Sequence, residues 1–204
     1  VIFDNMLVLA EDYEDALKKL KIIINRCNEY NLYLKFAKSW LGFEQVLFFG
    51  YICKHLSYEL SDDRKAAIQS FPPPTSNTKM RSFLGASLFF KSFVPHFSSI
   101  AAPLHETTTD AFKWQPDPWT PALLTAFEDF KTALVNAFAI YYPNYELPWV
   151  LRTDASKVGV GMVLFQIFRP SPESPPEYQP IMFESQKFSS QARNWTTIEQ
   201  EAYG

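Results

Sequence analysis

The chain has 204 residues, 47% of them hydrophobic, and a formal net charge of −3. No apolar run reaches ~18 residues, which excludes a hydrophobic membrane-spanning helix. Two cysteines, Cys27 and Cys53, are too few for a disulfide framework or a zinc site, and both read as buried reduced thiols. Aromatic residues make up 17% of the chain, including 19 Phe, so ring-rich cores are expected. The charge is uneven. The first hundred residues carry 12 basic and 10 acidic side chains, the remainder 7 and 12. The overall balance argues against a dedicated nucleic-acid binder, and any phosphate contact is expected in the first half.

Taken in chain order, Val1 to Ala10 is apolar except at Asp4-Asn5, which predicts two short strands around a tight turn. Tyr13 to Asn31 is helical, with Leu17, Leu20, Ile24 and Cys27 on one stripe, acids at its start and bases further on. Short strands fill 32–60, the clearest at Val46–Ile52. Ser61-Asp62-Asp63 caps a helix through Gln69, ended by Pro72-Pro73-Pro74. A second helix starts at Thr75–Asn77 and runs to about Val94, with one or two further helical turns at Ser98–His105. Thr120-Pro121 opens a helix to about Asn136, with Leu124, Phe127, Phe130 and Leu134 facing inward. The last third is sheet: a hairpin at 148–167, a proline-rich exposed loop from Arg169 to Pro180, and a strand at Ile181–Ser185. His55, His96 and His105 show no ligand spacing and read as structural.

The most informative segment is Trp149–Asp154. Its alternation puts Trp149, Leu151 and Thr153 on one face of a sheet and Val150, Arg152 and Asp154 on the other. A short polar connection leads into Val158–Phe165, which predicts an antiparallel hairpin. A carboxylate fixed at the end of a rigid strand suits metal-dependent nuclease chemistry, while the plainer reading is a turn cap.

The order of segments carries a resemblance. Met80–Gly85, Phe89–Val94 and Phe97–Leu104 resemble the thumb region of reverse transcriptases of gypsy-group long-terminal-repeat retrotransposons. Phe112-Lys113-Trp114 and Ala126–Lys131 resemble the connection that follows. Thr153-Asp154-Ala155-Ser156 with Gly159-Val160-Gly161 resembles the start of the family's ribonuclease H domain. Phe48–Ile52 is similar to the primer-grip hairpin, and Ile2–Asn5 stands where the polymerase carries Tyr-X-Asp-Asp.

The resemblance implies an α+β fold: an antiparallel palm remnant (1–60, with the primer-grip-like hairpin), thumb-like helices (61–110), a connection (111–146) and the N-terminal part of a ribonuclease H-like mixed sheet (147–204). Such enzymes join nucleotides and cut the RNA of RNA–DNA hybrids with carboxylate-held metal pairs, so Mg²⁺ or Mn²⁺ and a primer–template duplex are the implied cofactor and partner. Asp4 is the polymerase remnant, with neutral Asn5 in place of a second acid. Asp154 and Glu201 match ribonuclease H ligands, with Glu199 a helix-start charge. Lys38, Phe49, Gly50, Tyr51, Lys79, Arg81 and Lys91 are the implied nucleic-acid contacts. Each has a plainer alternative: solvated charge for the four cations, a buried hairpin for the rest. The chain ends read as breaks inside folded elements of a longer polyprotein. Two readings follow: an intracellular retroelement fragment inert in isolation, or a domesticated, non-catalytic structural subunit of a larger complex. An inhibitor or packing domain that binds nucleic acid without cutting it is a third.

Overall fold

The computed structural model describes residues 5–114, 118–156 and 158–203. The chain divides into two compact units, 1–61 and 62–204. Among the described residues no helix is long and apolar enough to cross a membrane.

The first strand of the hairpin expected over Val1–Ala10 lies outside the described residues. Asp4 lies outside the described residues, Asn5 makes a single bridge, and 6–10 form no strand. Met6, Val8 and Leu9 stay more than a third exposed, so this apolar run lacks the cover that would hold it as a strand. Helix α1 spans Tyr13–Glu29; Asp12 caps it by accepting from the Asp15 amide at 2.8 Å. Cys27 of the predicted stripe is buried, whereas Leu17 is not. Left-handed Asn31 ends the helix, and the Leu32 amide returns to the Cys27 carbonyl. Strands β1 (Gln45–Phe48), β2 (Tyr51–Lys54) and β3 (Ser57–Leu60) form an antiparallel meander. The run at 46–52 is therefore a hairpin, as the resemblance over Phe48–Ile52 implied, with its turn in the middle. Phe48 pairs with Tyr51, leaving a two-residue turn of Phe49 (φ 49°) and Gly50 (φ 80°). Two consecutive positive φ values match the twist of a hairpin, and Phe is a costly residue at the first of them.

The second unit begins with helices. α2 spans Asp62–Gln69 and α3 Asn77–Ser87, the latter capped by Ser76. The expected helix to Val94 instead tightens into a 3₁₀ segment over Leu88–Phe93. The Ser87 hydroxyl bonds back to the Phe83 carbonyl at 2.7 Å, and Pro95 forces Val94 into extended backbone. α4 (Phe97–Glu106) is a fuller helix than the sequence suggested, and α5 spans Pro121–Val135 behind its Thr120 cap.

Rings hold these helices together. Phe83 stacks on Phe71 at 4.8 Å and meets Phe127 at 5.2 Å and Phe130 at 5.9 Å; Phe97 meets Phe130 edge-on at 5.3 Å. Leu124, expected inside, is 37% exposed because it sits in the first turn of α5, ahead of this cluster. A charge takes part in the core. Lys131 is only 5% exposed, and its ammonium donates to the Gln69 and Phe71 carbonyls at 3.0 and 3.3 Å and pairs with Glu128 at 3.0 Å. It thereby satisfies the orphan carbonyls where α2 ends.

After the short β4 (Ile140–Tyr141), strands β5 (Trp149–Ala155), β6 (Gly159–Phe168) and β7 (Glu177–Lys187) form an antiparallel sheet with β6 in the centre. The proline-rich loop is shorter than expected, since β7 starts at Glu177 and includes Pro180. The strand tolerates that proline because the register slips between Leu164 and Phe165, leaving Ile181 as the extra residue of a bulge. A buried pair, Gln166 donating to Gln179 at 2.9 Å, keeps the extended β7 attached beyond it. A 3₁₀ turn (Ala192–Asn194) and α6 (Thr197–Tyr203) complete the unit.

Replacing Lys131 by Met keeps the bulk but takes the ammonium donor from the Gln69 and Phe71 carbonyls. Urea denaturation is expected to show a loss of about 2–4 kcal/mol. A change within ~0.5 kcal/mol would show that the ammonium contributes no more than its stem.

Candidate functional site

Asp154 is exposed and sits next to the last residue of β5. It pairs with Gly161, as Thr153 pairs with Met162 and Leu151 with Leu164. Cross-strand partners share a face, so Asp154, Gly161 and Ser185 lie on one side of the sheet. Arg152 is on the same side, and its guanidinium lies over the rings of Phe165 and Tyr178 at 5.8 and 5.0 Å. The alternation of the sequence put Arg152 beside Asp154, but gave no sign of the rings that hold it.

The turn after Asp154 is fixed by Ser156. Its hydroxyl donates to the Gly159 carbonyl at 2.9 Å and lies 3.3 Å from the amides of Val158 and Gly159. Gly159 allows β7 to come close: a Cβ there would stand 2.3 Å from the Gln186 carbonyl oxygen. Ala155, next to Asp154, packs on the cluster of Val160, Phe188 and Ala192.

Glu201 is exposed on α6, which runs beside β5. Glu199 is engaged otherwise. Its carboxylate accepts from the Thr196 amide at 2.7 Å and hydroxyl at 2.9 Å, while the Glu199 amide donates back to Thr196 Oγ1. This reciprocal capping box matches the helix-start role read from sequence. The two hydrogen bonds hold the Glu199 carboxyl below its ordinary pKa of 4.5.

The implied nucleic-acid residues are spread over both units. In the first, Lys38 is exposed at the end of a 3₁₀ turn (Phe36–Lys38), and Phe49-Gly50 form the hairpin tip with Tyr51 opening β2. In the second, Lys79 donates to Thr75 Oγ1 at 3.0 Å and Arg81 to the Thr108 carbonyl at 2.7 Å, while Lys91 is ion-paired with Glu184. Arg81 and Lys91 thus already brace the fold.

The resemblance read from the sequence implies a divalent metal at these acids. Asp154 and Glu201 are hard oxygen donors of the right type. Among the described residues, no group of three or more His, Cys, Asp or Glu side chains could hold a metal ion. Asp154 and Glu201 alone do not amount to a two-metal cage.

Comparison with known proteins bears on the same residues. Residues 119–204 match the family described as the RNase H-like domain found in reverse transcriptase. Over 98% of its length the chain is 28% identical to the retrovirus-related Pol polyprotein from transposon opus of Drosophila melanogaster. Over 95% it is 31% identical to the Gag-Pol polyprotein of gibbon ape leukemia virus, and over 97% it is 26% identical to the transposon Tf2-7 polyprotein of Schizosaccharomyces pombe. It spans 20%, 11% and 14% of those polyproteins. Two foamy viral protease-reverse transcriptase structures share the fold. One, in complex with double-stranded DNA, superposes with a TM-score of 0.77 at 24% identity over 94% of this chain and 32% of its own. The other, in complex with an RNA/DNA hybrid, gives 0.76 at 23% identity over 95% of this chain and 25% of its own.

The Glu199 contacts make α6 acid-sensitive. A carboxyl with a depressed folded pKa stabilises the fold above its unfolded value, and that contribution is lost as pH falls through the folded value. Amide exchange in α6 is therefore expected to accelerate as pH drops below 4.5, once corrected for intrinsic rates. Glu199→Gln should remove the pH dependence, and an unchanged profile in that variant would assign it to another group.

The hairpin bearing Asp154 and the helix bearing Glu201 both fall within 119–204, the stretch that matches the RNase H-like domain found in reverse transcriptase, and the chain as a whole is similar to segments of retroviral and transposon Pol polyproteins.

Proposed function

We propose that this chain is part of the reverse transcriptase/ribonuclease H region of a gypsy-group retrotransposon polyprotein acting inside the cell. In this reading 1–60 closes the palm with a primer-grip-like hairpin, 61–110 is the thumb, 111–146 the connection and 147–204 the start of the ribonuclease H-like domain. The observation that carries it is the exposed Asp154 opposite Gly161 at the end of an antiparallel strand pair, with Glu201 on the helix that follows the third strand. The whole protein's role would be RNA-directed DNA synthesis and cleavage of RNA in hybrids, with Mg²⁺ or Mn²⁺ as cofactor. The part played by these residues is to hold a primer–template or hybrid duplex. Backbone amides and an aromatic ring at Phe49–Tyr51 suit a strand terminus. Lys38 and Lys79, exposed cations, suit phosphates. Asp154 and Glu201 would each supply carboxylate oxygen to a metal. With two such donors the isolated chain binds divalent metal weakly and does not cut.

A second reading, a domesticated non-catalytic structural subunit, draws on Asn5, which offers a neutral amide where the resembled motif carries an acid.

Fluorescence anisotropy with an RNA–DNA hybrid tests the duplex role. Weak binding is expected, falling linearly on logarithmic axes between about 50 and 200 mM salt, and Lys79→Ala should reduce the slope by ~1. No binding, or a slope indifferent to Lys79, would contradict the assignment.

The inert chemistry has its own test. Neither primer extension nor hybrid cleavage is expected from the 204-residue chain, and Asn5→Asp should not create synthesis. Cleavage abolished by Asp154→Asn, with tight binding of two Mg²⁺ per chain by calorimetry, would overturn it.

A further inference from the structure

Gly161 is the cross-strand partner of Asp154, and the space where its side chain would stand is occupied. A Cβ at Gly161 would lie 2.7 Å from His96 Nδ1, 3.0 Å from its Cε1 and 3.7 Å from its Cγ. The imidazole thus sits in a notch over Gly161, on the face of the sheet that carries Asp154. Its backbone is committed to that placement. His96 is left-handed (φ 53°, ψ 28°), and its carbonyl starts α4 by accepting from the Ser99 and Ile100 amides at 2.9 and 3.1 Å. The register against the sheet is fixed two residues on. The Ser98 amide donates to Ser185 Oγ, and the Ser98 hydroxyl donates to the Ser185 carbonyl, both at 2.9 Å. Ser185 is the partner of Gly161 on the other side, so these bonds anchor α4 at the same rung as Asp154 and Gly161. The ring remains solvent-exposed, as Asp154 does.

We infer that His96 is a positioning residue for Asp154. β5 has a strand partner on one side only, and Asp154 is exposed. Across the pair, Gly161 would leave a vacancy into which the carboxylate could fold back. The His96 ring fills that vacancy and turns the carboxylate outward, away from β6. The role in an acid site rests on the reading of Asp154 given above, whereas the filled notch rests on geometry alone.

The test uses the whole chain without nucleic acid or metal, so its outcome is independent of duplex binding. His96→Gly suits the left-handed backbone and empties the notch. It is expected to leave the melting midpoint nearly unchanged while the Asp154 carboxyl ¹³C resonance shifts and its χ1 couplings become averaged. A purely structural histidine would move neither signal. Gly161→Ala should lower the midpoint by roughly 4–10 °C in the parent chain and by less than about 2 °C in the His96→Gly background. If the single Gly161→Ala chain fails to fold, recovery of a folded double variant carries the same meaning. Unchanged Asp154 signals in His96→Gly, an equal loss in both backgrounds, or a double variant that also fails to fold would overturn the inference.

Discussion

Gly159 and Gly161 let β6 sit where a side chain would forbid it. One lacks a Cβ because the Gln186 carbonyl passes 2.3 Å from where it would stand, the other because the His96 ring does. β6 is the central strand, bonded to β5 on one side and β7 on the other. If it moved outward by the width of a methyl group, β5 would move with it, and Asp154 rides on β5. The two absent side chains thus set the depth at which the acid is presented. The Ser98–Ser185 bonds and the Lys91–Glu184 ion pair tie the helical layer of the same unit to the edge of β7.

That coupling explains why the second unit is one compact body although its sequence reads as three segments. The ring cluster of Phe71, Phe83, Phe97, Phe127 and Phe130 unites α3, α4 and α5, and α4 then carries the connection to the sheet. Two cations implied as phosphate contacts serve this body as well. Lys91 could reach a phosphate only by leaving Glu184, and Arg81 only by leaving the Thr108 carbonyl. The exchange would cost part of any affinity gained, so the weak salt-dependent binding proposed for this chain falls mainly to Lys79 and Lys38.

Much of this was legible in the residues. Asp12, Ser76 and Thr120 announce their helices because a cap is a local device needing one oxygen and one amide. The antiparallel hairpin that carries Asp154 followed from period-two alternation and a short turn, but its register, Asp154 opposite Gly161, did not. The remainder depends on partners distant in sequence. Pro180 looked like the end of a loop, and only the bulge opposite Leu164–Phe165 makes it a strand residue. Nothing local marks Lys131 as a core residue; the carbonyls at and after the end of α2 make it one. His96 looked structural, and its place over Gly161, the strand partner of Asp154, depends on a missing Cβ that no local pattern announces. The 3₁₀ segment at Leu88–Phe93 lies just before Pro95, where the chain leaves the helix through extended Val94.

The proposal that these residues, each in its own unit, contact a duplex is tested most directly by hydrogen-exchange mass spectrometry of the 204-residue chain with and without an RNA–DNA hybrid. The account predicts protection at the 48–51 hairpin tip, along the exposed side of α3 and at the 154–161 turn, fading as salt rises. Protection confined to α1 or to the 169–176 loop, or none at hybrid concentrations that saturate anisotropy, would contradict it.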